Sequence, residues 1–202
     1  QYALGKALSI EKNTDLTLYI KEVSDRNDHN GFELHNVFNT TSTVATDTER
    51  KLVLGMGHSH NLIKLLRSKK LGFLRGKHYI VENNFHYDKQ IEDITKCVFL
   101  RGFWQSEKYF SAHRQAILKE FSFKNKLSDK NLKAAKKIRE TISISIHVRR
   151  GDYISNPGVN KTFASLNAEY YQKALKKLNI DPIKSLLVFF SDDTDWVKKN
   201  II

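Results

Sequence analysis

Arg149 and Arg150 stand side by side in the segment His147-Val148-Arg149-Arg150-Gly151-Asp152-Tyr153, and Ser191-Asp192-Asp193 forms a second polar cluster further along the chain. A guanidinium grips phosphate oxygens through paired, charge-assisted hydrogen bonds. It also stabilises the charge that grows as a sugar–phosphate bond breaks. One charged hydrogen bond contributes roughly 1.5–3 kcal/mol, so two from a single arginine can change a rate ~100-fold or more. Gly151 lets the backbone turn or a ligand come close. Asp192 and Asp193 can accept hydrogen bonds from a ribose or from guanine N–H groups. The pattern suits a diphosphate leaving group. A surface turn of Arg/Asp ion pairs uses the same residue types, and this plainer reading stays open. Asp192-Asp193-Thr194-Asp195 also resembles a carboxylate pair for Mg²⁺ or Mn²⁺. Helix capping at the positive end of a dipole, with nucleotide contact, is the preferred reading, and no metal is expected.

Both clusters follow strand patterns. Ile142, Ile144, Ile146 and Val148 alternate with Ser143, Ser145 and His147, which is the period of a half-buried strand. Residues 186–190 form a continuous apolar run suited to a buried strand. Between them a helix is predicted from Asn167, with Tyr171, Ala174, Leu175 and Leu178 on one face, and another begins near Asp192 or Asp193. Strand, helix, strand, helix is the order of a parallel α/β sheet, where ligands bind outside the carboxyl ends of the strands. Successive strand residues face opposite sides. Arg149 and Arg150 therefore share one task only if the strand has already ended. Otherwise one holds phosphate and the other pairs with Asp152.

Upstream, residues 2–10 read as a helix, 16–20 as a strand and 24–31 as a loop. Two or three short helices are expected within 32–70, basic and amphipathic from Asn61. Strands are expected at 77–82 and 97–100, and helices at 106–121 and 128–140, the latter capped by Ser128. The domain boundary is placed near residue 140. The chain opens in what reads as mid-helix and stops just after a strand, so both ends are expected to be cut. His58-Ser59-His60 lacks a third metal ligand, and Gly55-Met56-Gly57 is too short for a phosphate loop. Gly102-Phe103-Trp104-Gln105 reads either as core packing or as a sugar-stacking platform.

The net charge of +12 fits a solvated lysine-rich surface, or attraction to a polyanion, a membrane surface or an acidic small substrate. A single cysteine, Cys97, excludes an internal disulfide and fits a reducing compartment. No apolar run approaches the ~20 residues of a membrane span.

The motif His147 to Tyr153 resembles the His-x-Arg-Arg-x-Asp-Tyr motif of glycosyltransferase family 11, the α-1,2-fucosyltransferases. Other segments agree, in the family's order: Gln1-Tyr2-Ala3-Leu4-Gly5-Lys6-Ala7-Leu8, Gly102-Phe103-Trp104-Gln105-Ser106-Glu107-Lys108-Tyr109-Phe110, Tyr170-Tyr171-Gln172-Lys173-Ala174, and Phe190-Ser191-Asp192-Asp193 with Trp196-Val197. The resemblance implies a GT-B-like α/β fold. Residues 1–140 would form an N-terminal acceptor-side α/β domain, and 141–202 the start of an incomplete Rossmann-like half that binds the GDP-sugar.

It further implies inverting, metal-independent transfer of fucose from GDP-fucose to the 2-hydroxyl of galactose in a glycan, with no cofactor. Arg149 and Arg150 would contact the diphosphate and Asp152 would orient them, making these the expected catalytic residues. His147, Ser191, Asp192 and Asp193 would complete the donor site. A general base must deprotonate the acceptor hydroxyl; Asp152 is one candidate. The family's Gly-Asn-Gln loop and its later segments are not in this sequence, so these 202 residues alone are expected to be inactive. A cytoplasmic location follows from the reading, with room for peripheral attachment to the inner face of a membrane. Three alternatives stay open: a fucosyltransferase of another linkage, a metal-dependent transferase, and a basic nucleic-acid-binding protein, although no nucleic-acid recognition motif is present.

Overall fold

The computed structural model describes residues 1–24, 31–55, 59, 62–63, 66, 71, 76–155, 158, 165–179, 181 and 184–201. Residues 25–30 of the loop predicted at 24–31, together with His58, His60, Met56, Gly57 and most of the basic stretch from Asn61, lie outside the described residues, while Ser24 ends a helical turn. The chain divides into two units, Gln1–Lys126 and Leu127–Ile202, both mixed α/β.

In the first unit, helix α1 (Tyr2–Glu11) buries Tyr2, Leu4, Ala7 and Ser9; of the face expected from spacing (Ala3, Leu4, Ala7 and Leu8), Leu4 and Ala7 are buried and Ala3 and Leu8 are half-buried. It ends at Lys12, and Asn13 follows at φ 50°, a conformation that asparagine tolerates. Two parallel strand pairs build the unit: β1 (Thr17–Leu18) with β2 (Thr43–Val44), and β3 (Tyr79–Val81) with β4 (Phe99–Arg101). Helices α2 (Lys21–Ser24) and α3 (Leu34–Val37) are single turns. Helix α4 (Asp47–Leu54) starts on a reciprocal cap in which Thr46 and Glu49 each satisfy the other's backbone N–H.

The predicted helix at 106–121 is broken. Residues Glu107–Tyr109 and Ser111–His113 form tight 3-10 turns, and only α5 (Arg114–Glu120) is α-helical. Phe110 takes φ −142°, outside the helical range. Meanwhile the buried Tyr109 hydroxyl accepts the Asp88 N–H at 2.8 Å, which ties this segment to a distant loop. Leu4, Ile91, Trp104 and Tyr109 form the core. Trp104 thus takes the packing role, whereas its neighbour Phe103 is 65% exposed.

In the second unit, α6 (Asp129–Glu140) is capped by Ser128, which accepts the Asn131 N–H at 3.3 Å. The helix belongs with this unit, and the Ser143 hydroxyl donates to the Ile138 carbonyl at 3.0 Å. Strand β5 (Ile142–Val148) leads to the short helix α7 (Gly151–Ser155), then α8 (Ala168–Lys177), capped by Asn167. Strand β6 (Ser185–Ser191) follows, then α9 (Thr194–Asn200). β5 and β6 pair in parallel from Ile142↔Ser185 to Val148↔Ser191. Ile146, Val148, Tyr171 and Val197 form the core, with Leu175, Phe189 and Trp196 packed around it. One sheet face is therefore covered by α8 and α9, and both strands end at the same edge. Among the described residues, no helix is long and apolar enough to cross a membrane.

Candidate functional site

Because Val148 is opposite Ser191, the residues that follow each strand leave the sheet together. The strand has ended before the arginines, which frees them from the alternation of the pleat. They take separate partners. Arg149 donates from Nε (3.2 Å) and Nη2 (2.9 Å) to Asp152 Oδ1, with Nε also 3.8 Å from Asp192 Oδ2. Its guanidinium carbon lies 5.4 Å from the centre of the Tyr153 ring.

Arg150 is held more firmly. Its backbone N–H donates to Asp192 Oδ1 at 2.8 Å, and its Nε donates to Asp193 Oδ2 at 3.1 Å. Nη1 reaches Ser165 Oγ at 3.5 Å, and the guanidinium carbon sits 4.0 Å from the centre of the Trp196 ring. A planar guanidinium over an indole face is a favourable cation–π arrangement. The Arg150 side chain is 17% exposed, against 43% for Arg149. Among the described residues, Nη1 of Arg149 and Nη2 of Arg150 have no partner. Each can still donate to an incoming oxyanion.

Asp193 ties these parts together. Its Oδ1 accepts the Trp196 N–H at 3.0 Å, capping α9, and its own N–H donates to Ser191 Oγ at 2.9 Å. For Asp192, burial acts to raise the pKa. The N–H groups of Arg150 and Gly151 and the charge of Arg149 outweigh it, and hold the carboxyl below its ordinary value. Gly151 makes this approach possible: a Cβ there would lie 3.0 Å from Asp192 Oδ2.

The structure thus gathers Arg149, Arg150, Asp152, Asp192 and Asp193, with Ser191 joined through the Asp193 N–H. His147 is exposed on the face of β5 opposite Ile146 and Val148, away from the Arg150–Trp196 stack. Its carbonyl accepts the Tyr171 hydroxyl at 3.4 Å. Sequence reasoning gave Trp196 and Ser165 no part in holding Arg150. Trp196 was accessible to it: it stands three residues after the capping Asp193, in the first turn of α9, and so at the same edge of the sheet. Ser165 carries no comparable local signal.

The exposed Arg149–Asp152 pair contributes only ~0–1 kcal/mol to stability, whereas Arg150, at 17% exposure, is held between a carboxylate and an indole. Among the described residues, no three His, Cys, Asp or Glu side chains come together as a metal site.

Residues 69–202 match the profile of glycosyl transferase family 11. An alpha-1,2-colitosyltransferase of Escherichia coli is 31% identical over 202 residues, covering 98% of this chain and 66% of that protein. The O-antigen biosynthesis glycosyltransferase WbnK of Escherichia coli is 27% identical over 215 residues, covering 98% of this chain and 70% of that protein. The chain therefore spans about two thirds of the length of these relatives. No solved structure matches it.

Proposed function

The chain belongs to glycosyl transferase family 11, and from that premise we propose that the protein transfers L-fucose from GDP-β-L-fucose to the 2-hydroxyl of a galactose in a glycan. The observation that carries the reading is Arg150, anchored by Asp193 and Trp196 at the carboxyl edge of a parallel strand pair, with a donor nitrogen to spare. Such an edge is where α/β folds take nucleotides.

In the proposed reaction the bond between the sugar's anomeric carbon and the diphosphate oxygen breaks as the acceptor oxygen attacks from the opposite side. The configuration inverts, the acceptor's proton passes to a base, and GDP leaves as the anion. Arg150 and Arg149 stabilise the charge building on the diphosphate. Asp152 orients Arg149, a part its 2.9 Å contact suits better than that of general base. Asp192, Asp193 and Ser191 border the nucleoside side. His147 would join them only by reaching around the strand end. The fold proposed for the whole enzyme is GT-B-like, with this second unit opening its nucleotide half. No metal or cofactor is proposed, since the arginines supply the positive charge that a divalent ion would. The surplus of +12 charge suits peripheral contact with an anionic inner membrane face.

The name of the colitosyltransferase relative favours a second reading in which the donor sugar is colitose. One assay separates the two and tests the whole. The intact enzyme is incubated with a β-galactoside acceptor and either GDP-fucose or GDP-colitose, with EDTA present, and the product linkage is determined. Fucosylation at the 2-hydroxyl supports the proposal. Colitose transfer alone moves it to the second reading, and loss of transfer in EDTA removes the metal-independent mechanism.

A further inference from the structure

Phe85 and Phe103 are 67% and 65% exposed, and their rings sit 5.9 Å apart at 52°. They follow β3 and β4, whose last residues, Val81 and Arg101, are paired. Both rings therefore stand at the carboxyl edge of that strand pair, which belongs to the first unit, whereas the arginines already described belong to the second.

The backbone beneath Phe103 is fixed on both sides. Glu82 accepts the N–H of Phe103 at 2.6 Å and of Trp104 at 3.1 Å. A Cβ at Gly102 would lie 2.3 Å from the Cβ of Glu82, so the turn closes only with glycine there. Trp104 holds φ 53°, a left-handed conformation that bulky residues rarely adopt, while its ring is buried in the core. The net effect is a strained turn that drives the indole inward and keeps the phenyl ring in water. Strained backbone of this kind clusters at ligand-binding and active sites. Asn84, His86 and Gln105, neighbours of the two rings in sequence, are exposed.

A pair of exposed aromatic rings suits a pyranose, which presents C–H groups on one face. We propose that Phe85 and Phe103 form a stacking platform for a hexopyranose ring of the acceptor glycan. The choice of a glycan as ligand rests on the glycosyltransferase reading; the platform itself rests on the geometry of the first unit.

Saturation-transfer NMR on the intact protein tests it, with lactose as the probe and GDP binding followed separately by calorimetry. In the wild type, lactose should receive saturation mainly on its ring protons. Phe103→Ala should weaken lactose binding about tenfold or more, the equivalent of ~1.4 kcal/mol, with GDP binding unchanged. Phe103→Trp, which keeps an aromatic face, should bind within about threefold of wild type. Lactose binding that is undiminished in a Phe85→Ala, Phe103→Ala double variant overturns the platform, as does a wild type that binds GDP but gives no lactose signal. A protein that binds lactose through Phe103 but does not bind GDP leaves the platform standing and removes the GDP-sugar reading instead.

Discussion

Arg150 and Asp193 are joined across the ends of two parallel strands, Nε donating to Oδ2 at 3.1 Å. Asp193 is also the cap of α9, so the residue that starts the helix fixes the arginine. The indole of Trp196 lies beneath the guanidinium at 4.0 Å, one turn into the same helix. A diphosphate arriving at this edge meets a cation whose direction is already set, which reduces the ordering that binding would otherwise require.

Arg150→Lys keeps the charge but loses the planar fork and the indole stack. One lost charge-assisted hydrogen bond, at roughly 1.5–3 kcal/mol, corresponds to GDP binding weakened ~10–100-fold. Folding stability should change by less than about 1 kcal/mol, since the ion pair it breaks is partly exposed. Calorimetric GDP titration and urea denaturation of the variant check the two halves independently.

Replacing Asp193 separates capping from arginine anchoring. Asn keeps an acceptor for the Trp196 N–H, so Asp193→Asn should retain most of the stability, whereas Asp193→Ala should lose about 1 kcal/mol with the cap. Both variants release Arg150 and should weaken GDP binding to a similar degree. Equal stability of the two would contradict the capping role, and unaltered GDP affinity in Asp193→Asn would show that the contact does not position the arginine.

Gly151→Ala places a methyl group 3.0 Å from Asp192 Oδ2. The carboxylate must shift away and strain its bond to the Arg150 N–H, now 2.8 Å. A loss of about 1 kcal/mol is expected in urea denaturation, together with weaker GDP binding. Asp192→Asn, which leaves the space open, should be milder in stability.

Much of the second unit was legible in the sequence because its elements are long and strongly patterned. The alternation of Ile142, Ile144, Ile146 and Val148 marks β5, the run at 186–190 marks β6, and Ser128, Asn167 and Asp193 act as the caps their positions suggest. The first unit was less legible. Thr17–Leu18 and Thr43–Val44 are too short to carry a period, and the second strand lies in a stretch that reads as helices. Residues 106–121 show an apolar stripe at helical spacing, yet the long-range bond between Tyr109 and Asp88 accompanies a break that no local pattern encodes. In the site, the local Arg149–Asp152 pairing was among the readings open from sequence. The stacking of Arg150 on Trp196 spans two elements and needed the fold.

The first unit carries its own pH dependence. Buried Glu120 accepts from Lys6 at 2.7 Å, from the Thr41 hydroxyl at 2.5 Å and from the Tyr2 hydroxyl. Burial acts to raise its pKa, but these donors outweigh it and bring the group down from 4.5 to about 2. A depressed carboxylate stabilises the fold above its unfolded pKa, so this contribution should be complete at neutral pH and fade as pH falls from 4.5 through about 2. Tyr2 is shifted the other way, by burial and then by Glu120, up from 10.0 to about 12. Its contribution should be lost as pH rises through that range. Glu120→Gln should destabilise the protein by on the order of 3 kcal/mol, because it leaves Lys6 without its carboxylate. It should also flatten the acid limb of a urea-denaturation series recorded against pH.

The most direct measurement is a crystal structure of the protein with GDP bound. Pyrophosphate oxygens are expected within hydrogen-bond distance of the Arg150 and Arg149 guanidinium groups, at the edge where β5 and β6 end, with the nucleoside toward the Ser191–Asp193 turn. GDP bound elsewhere, with the Arg150–Asp193 and Arg149–Asp152 pairs intact and solvent-facing, would contradict this placement.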